Sequence, residues 1–127
     1  MPRFDFNKIP KTVALVKTRY RTIKTKIPAP GSLSIIKDLE RYESRSMHGQ
    51  LPVVWDKAIG FQVFDKDGNC WIDFTSTIFV TNSGHAHPAV VQSIRKQLDK
   101  ELLHTYTFAS EIRARFLKKL IAITPKQ

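Results

Sequence analysis

Cysteine is almost missing. Cys70 is the one thiol in 127 residues, so no internal disulfide can form, and a reducing compartment such as the cytoplasm fits. No apolar run approaches the ~18 residues of a membrane-spanning helix, and nothing resembles a secretory signal, so no membrane association is expected. Glycine is sparse and scattered: Gly31, Gly49, Gly60, Gly68 and Gly84 build no loop that could cradle a phosphate. No Gly-x-Ser-x-Gly elbow is present, and no internal repeat or low-complexity tract is visible. These gaps remove the disulfide-rich, membrane, phosphate-loop and nucleophile-elbow classes. No complete catalytic set appears.

Acid is scarce at one end only. The net charge is +10, and residues 1–30 carry eight Lys or Arg against Asp5, whereas residues 31–127 carry thirteen bases and ten acids. The excess therefore belongs to a basic N-terminal arm. Such an arm can attract phosphates, remain a solvated extension, or meet acidic groups on a partner. No recognition motif accompanies the charge, so nucleic acid is not the expected partner. A mitochondrial leader is disfavoured by Pro10, Pro28 and Pro30 and by only three arginines, Arg3, Arg19 and Arg21.

What is present reads as α+β. Residues 1–27 read as extended or loosely ordered chain. Pro28-Ala29-Pro30-Gly31 is a break, after which Ser32 or Ser34 can cap a helix carrying Ile35, Ile36, Leu39 and Tyr42 at helical spacing. The pattern predicts that this helix ends near Met47, with Gly49 following. Val53-Val54-Trp55 and Gly60 to Phe64 read as strands. Lys66-Asp67-Gly68-Asn69 reads as a tight turn, because Gly68 accepts a positive φ, and Cys70 to Phe74 returns. Ile78-Phe79-Val80 reads as a short further strand. Trp55, Phe61, Phe64 and Trp71 read most simply as core residues of this small antiparallel sheet.

Pro88 suits a helix start, where its missing N–H costs nothing. Val91, Ile94, Leu98 and Leu102 then form a stripe that predicts a helix to about Leu103. Ser110 caps a last helix, faced by Ile112, Phe116, Leu117, Leu120 and Ile121 and stopped by Pro125. Little sequence remains to cover that face, so the chain reads as the truncated opening of a larger protein.

Polar and imidazole groups concentrate in Asn82-Ser83-Gly84-His85-Ala86-His87-Pro88, a junction of the kind where α/β enzymes build sites. His85 and His87 could supply two metal ligands, but a third at recognisable spacing is missing, so no metal is expected. The plainer reading is that both histidines bond backbone groups and fix the loop. Cys70, mid-strand, reads as a buried, inert thiol.

Taken in order, Trp55-Asp56, Gly60-x-x-Val63-x-Asp65-x-x-Gly68-Asn69-x-Trp71-Ile72-Asp73-Phe74, Asn82-x-Gly84-His85-x-His87-Pro88, Val90-Val91, Gln97 and His104-Thr105 resemble the N-terminal portion of the class III, or ω-amino-acid, aminotransferases. The resemblance runs from about Pro28 to Pro125, and the ordered set is far more specific than any single element.

The resemblance implies an enzyme that moves an amino group from an amine or amino acid to a 2-oxo acid with pyridoxal 5′-phosphate, as a homodimer or tetramer of fold type I α/β architecture. After the basic arm of residues 1–30, which the charge count defines, it implies a small N-terminal domain with helix and β-hairpin over 31–84 and the first helices of the large cofactor-binding domain over 85–127. Ile78 and Phe79 fall on a stretch that lines the substrate pocket in the family, and His104 to Phe108 on one near the dimer interface.

No residue here matches the family's phosphate-binding motif, its pyridine-nitrogen aspartate or its Schiff-base lysine. Lys96, Lys100, Lys118 and Lys119 read as solvent-facing. No catalytic or cofactor-binding residue is therefore assigned, and the segment by itself is expected to be inactive. Ser76-Thr77 stands where relatives often have glycine. A stand-alone interaction module, binding a partner protein through the exposed helix face or the basic arm, stays open as the alternative.

Overall fold

A computed structural model describes residues 6–47 and 51–125. Arg3 and Asp5 of the basic arm, and Gly49 after the first helix, lie outside the described residues. The chain divides into two compact units, Met1–His87 and Pro88–Gln127. Its described residues form four helices and one small antiparallel sheet, an α+β arrangement. Among them no helix is long and apolar enough to cross a membrane.

The first unit is organised by the turn at Gly68. Gly68 takes φ 75° and its N–H donates to the Asp65 carbonyl at 3.0 Å, as a hairpin turn needs. The turn joins β4 (Gln62–Phe64) to β5 (Cys70–Ile72), with Val63 opposite Trp71 and Phe64 opposite Cys70. β3 (Lys57–Ile59) pairs with the other side of β4 through a two-residue turn, in which Gly60 takes φ 58°. Val63, Cys70 and, from the helix α1 (Leu33–Tyr42), Ile36 are buried. Each large aliphatic side chain so covered stabilises by roughly 1.5–3 kcal/mol.

The arm departs from its sequence reading. Its described part is not loose: β1 (Val16–Lys17) pairs with β2 (Thr22–Ile23), and Thr22 lies opposite Cys70, giving the order β1-β2-β5-β4-β3. The reason is Asn69, fully buried in the hairpin turn. Its Oδ1 accepts from the Lys24 and Thr25 amides at 2.8 and 3.3 Å, and its Nδ2 donates to Thr25 Oγ1 and Asp65 Oδ2 at 2.7 Å each. One side chain thus ties the arm to the hairpin across more than forty residues of sequence.

Other expectations are also corrected. Helix α1 stops at Tyr42, short of Met47, and a separate 3₁₀ turn covers Arg45–Met47. Ser44 and Ser46 share a hydroxyl hydrogen bond at 2.9 Å, the local competition that makes serine a poor helix-interior residue. Ser32 occupies the N-cap position without a side-chain capping bond. Val53-Val54-Trp55 forms no strand, because Val53 N–H turns back to the Leu51 carbonyl at 2.8 Å and the ladder begins only at Asp56. Trp55 and Phe61 are exposed rather than core, Phe61 because it sits in the β3–β4 turn.

In the second unit, α3 (Pro88–Leu98) begins at Pro88 but ends before Leu103. Glu101 takes φ 56°, and the Gln97 side chain donates to the Leu102 carbonyl at 2.7 Å, closing the helix end. Helix α4 (Glu111–Ile123) is capped by Ser110, whose hydroxyl accepts from Arg113 N–H at 3.4 Å. Neither α3 nor α4 buries a residue; Ile94, Leu98, Phe116 and Leu120 are all exposed.

Candidate functional site

The junction noted in the sequence is a clamp. Gly60 and His85 exchange two backbone hydrogen bonds: Gly60 N–H donates to the His85 carbonyl at 2.8 Å, and His85 N–H to the Gly60 carbonyl at 2.7 Å. Gly84 makes this approach possible. Its φ is 85°, and a Cβ there would lie 3.3 Å from the Gly60 carbonyl oxygen. The hairpin turn and the loop before α3 are thereby held together.

Below that bridge the imidazole Nε2 of His85 meets Asp73 Oδ2 at 2.7 Å, and the ring packs edge-on against Trp55 at 5.6 Å. The other carboxylate oxygen of Asp73 accepts from Thr75 N–H at 2.8 Å and Thr75 Oγ1 at 2.7 Å, while Asp73 N–H donates to the Phe61 carbonyl at 2.9 Å. The Asp73 side chain is 3% exposed. Burial pushes its carboxyl upward, but the hydrogen bonds from Thr75 and His85 and the attraction of His85 outweigh this and lower it to about 2. Asp73 is thus held as a carboxylate with its oxygens committed. The sequence reading of His85 as a loop-fixing residue holds through its backbone, whereas His87 is exposed and takes no part in the clamp.

The residues after Asp73-Phe74-Thr75 do not form the expected strand at Ile78-Phe79-Val80. They form a short helical turn, α2 (Ser76–Phe79), closed by Phe79 N–H to Thr75 carbonyl at 3.2 Å and Val80 N–H to Ser76 carbonyl at 2.9 Å. Its backbone is left-handed, with φ of 49°, 52°, 56° and 67° at Ser76, Thr77, Ile78 and Phe79. Left-handed helix costs L-residues about 1–2 kcal/mol each, so the turn is strained and is held from its ends by the Asp73–Thr75 bonds and by the Gly60–His85 bridge.

Ile78 and Phe79, the two site residues taken from the sequence, are both solvent-exposed on this turn. Ile78 stands on the rim of an apolar hollow of about 710 Å³, walled by Leu39, Val54, Trp55, Trp71 and Phe74 among others. Phe79 is not part of its lining. The partnership of Asp73 with His85 was not visible in the sequence, where Asp73 is only one residue of a strand. The one local signal was Asp-x-Thr, a pattern that lets the aspartate bond the amide two residues on.

Pyridoxal phosphate does not fit this hollow. Among the described residues no Lys, Arg or His lines it; Asp73 and Thr75 stand in its lining, and the indole N–H of the lining residue Trp71 is buried with no partner among the described residues. A phosphate would find an ionised carboxylate there and no cation among the described residues. Lys96, Lys100, Lys118 and Lys119 are exposed on or beside α3 and α4. Among the described residues no three His, Cys, Asp or Glu groups converge as metal ligands. Cys70 is a buried thiol, its sulfur 3.1 Å from the Gln62 amide nitrogen.

Comparison with known proteins extends this picture. Residues 43–127 match the family described as aminotransferase class-III. The ornithine aminotransferase of Brevibacillus brevis is 34% identical over 93 residues, 73% of this chain and 23% of that protein. The acetylornithine aminotransferase of Methanocaldococcus jannaschii is 39% identical over 88 residues, 68% of this chain and 22% of that protein. The ornithine aminotransferase of Saccharomyces cerevisiae is 33% identical over 78 residues, 61% of this chain and 18% of that protein. The chain spans roughly a quarter of the length of the curated relatives it matches.

Proposed function

The chain belongs to the class III aminotransferases, and on that premise we propose that it serves transfer of an amino group from an amine or amino acid to a 2-oxo acid. The observation that carries the reading is the family match over residues 43–127, which contains the whole Asp73–His85 clamp and the turn it holds. Within that reaction the role of residues 74–80 is to shape the substrate pocket, with Ile78 and Phe79 as the substrate-facing side chains. Relatives named for ornithine and acetylornithine favour a donor of the ornithine type. Reaction in the cytoplasm, by a homodimer or tetramer of fold type I architecture, goes with this reading.

Pyridoxal phosphate supplies the electron sink in such chemistry. The hollow beside the clamp offers it no cation among the described residues, and the family's anchoring residues match no position of this sequence. These residues by themselves are therefore proposed to be inactive.

A chimera tests the reading. The matching stretch of the Brevibacillus brevis enzyme is replaced by that of this chain, and ornithine-dependent transamination is measured. Turnover supports the assignment; a folded, cofactor-loaded chimera without turnover refutes it. Separately, the 127-residue chain is incubated with pyridoxal phosphate, ornithine and a 2-oxo acid, and amino transfer to the oxo acid would refute inactivity.

A second reading is favoured by α3 and α4, whose apolar side chains lie exposed. On it the chain is an interaction module that binds a partner protein through those helices. A soluble, cooperatively unfolding monomer on gel filtration would support the module; an aggregating chain would argue against it.

A further inference from the structure

The basic arm leaves one edge of the sheet open, and that edge has an unusual backbone. Lys11 and Ile27 exchange two backbone hydrogen bonds at 2.9 and 3.0 Å, and pairing resumes at Val16 opposite Ile23. Between these ties, residues 12–15 face residues 24–26, so the outer segment carries one residue more than its neighbour. The amides of Lys24 and Thr25 are taken by Asn69. Thr12, Val13, Ala14 and Leu15 are all exposed and make no backbone hydrogen bond among the described residues. Here four residues between two antiparallel ties leave their donors and acceptors without a backbone partner among the described residues, at the edge of the sheet, the arrangement that accepts an added strand.

The charge around the segment selects the strand. Lys11, Lys17, Arg19, Arg21 and Lys26 are exposed, none of them forms an ion pair among the described residues, and residues 6–37 contain no Asp or Glu. A second copy of the same edge would bring lysine against lysine, which opposes self-pairing. Val13 and Leu15 offer exposed apolar side chains on the same segment.

We propose that residues 11–17 dock an extended acidic peptide by strand addition, the peptide backbone bonding Thr12 to Leu15 and its carboxylates meeting the flanking lysines and arginines. The free backbone is the reason for choosing a peptide over a nucleic acid, which would use the cations but not the ladder.

The test uses the 127-residue chain and a fluorescent eight-residue peptide alternating Glu with Val. Binding that weakens with salt, and amide-exchange protection gained at alternate residues within 12–15, are expected. Because successive strand residues point their N–H groups to opposite sides, one of V13P and A14P should weaken binding about fivefold, the loss of a single backbone bond. K11E with K17E should weaken it about tenfold. Neither proline removes an existing backbone bond, and unchanged circular dichroism verifies that the fold persists. If a variant fails to fold, the exchange protection in the wild-type chain decides. A peptide with proline in place of valine that binds equally well, an oligothymidylate that binds more tightly than the peptide, or no gain of protection at residues 12–15 would each overturn the proposal.

Discussion

Thr77→Gly should make the first unit more stable, although glycine usually weakens a helical turn. Thr77 has φ 52° and ψ 47°, squarely left-handed, and its side chain is exposed and without a hydrogen bond. Removing that side chain therefore sacrifices no packing. What it removes is the clash between Cβ and backbone, about 1–2 kcal/mol for an L-residue in this region. Against this stands the greater freedom of glycine in the unfolded chain, about 0.5–1 kcal/mol. The balance is a gain of about 0.5–1 kcal/mol, or roughly 2–8 °C in melting midpoint for a unit of this size. Thr77→Ala is the matched control: it also deletes the hydroxyl and methyl groups but keeps Cβ, so it should leave the midpoint nearly unchanged. The assay is thermal and urea unfolding of wild type and both variants, followed by circular dichroism. Equal effects of alanine and glycine, or a midpoint lowered by glycine, would refute the claim that left-handed strain is stored at this position.

The remaining expectations concern the ties around that turn. Asn69→Ala strands the amides of Lys24 and Thr25 and should cost about 2–4 kcal/mol by urea unfolding, with exchange protection lost in β1 and β2; a cost well under 1 kcal/mol would remove Asn69 as the link between arm and hairpin. Asp73 has its carboxyl lowered from 3.8 to about 2, so the stability it confers is full above about pH 4 and is lost as pH falls through about 2. The gap in urea midpoint between wild type and Asp73→Asn should accordingly be widest near neutrality and close toward pH 2; a gap independent of pH would contradict the ionised pairing. Gly84→Ala places a methyl group 3.3 Å from the Gly60 carbonyl at φ 85° and should cost about 1–2 kcal/mol, visible as a lowered melting midpoint. In the chimeric aminotransferase, Ile78→Ala should raise the KM for the amino donor about tenfold with a smaller change in kcat, and an unchanged KM would remove Ile78 from the pocket wall.

What could be read directly from the sequence were features decided within a few residues. Gly68 announces its turn because its neighbours demand a positive φ there; Pro88 and Ser110 announce helix starts because one lacks a donor and the other supplies an acceptor. What could not be read depends on partners far along the chain. Val53 to Trp55 and Ile78 to Val80 have the side chains of strands, yet neither finds a ladder: one is turned back at Leu51, and the other is bound at both ends into a left-handed turn. The arm has the composition of a loose tail and becomes a pair of strands because a buried asparagine some forty-five residues later takes its amides. The same distinction applies to the site. Gly84-His85-Ala86-His87-Pro88 marks a place in the sequence, but its function as a clamp depends on Gly60 and Asp73, which the fold must first bring there. The histidines there have the spacing of a metal-ligand pair, yet His85 is already bonded to a carboxylate and His87 is exposed. The imidazoles are thereby committed to the junction itself, and the strained turn beside the clamp, with Ile78 and Phe79 exposed on it, is the part left open to solvent.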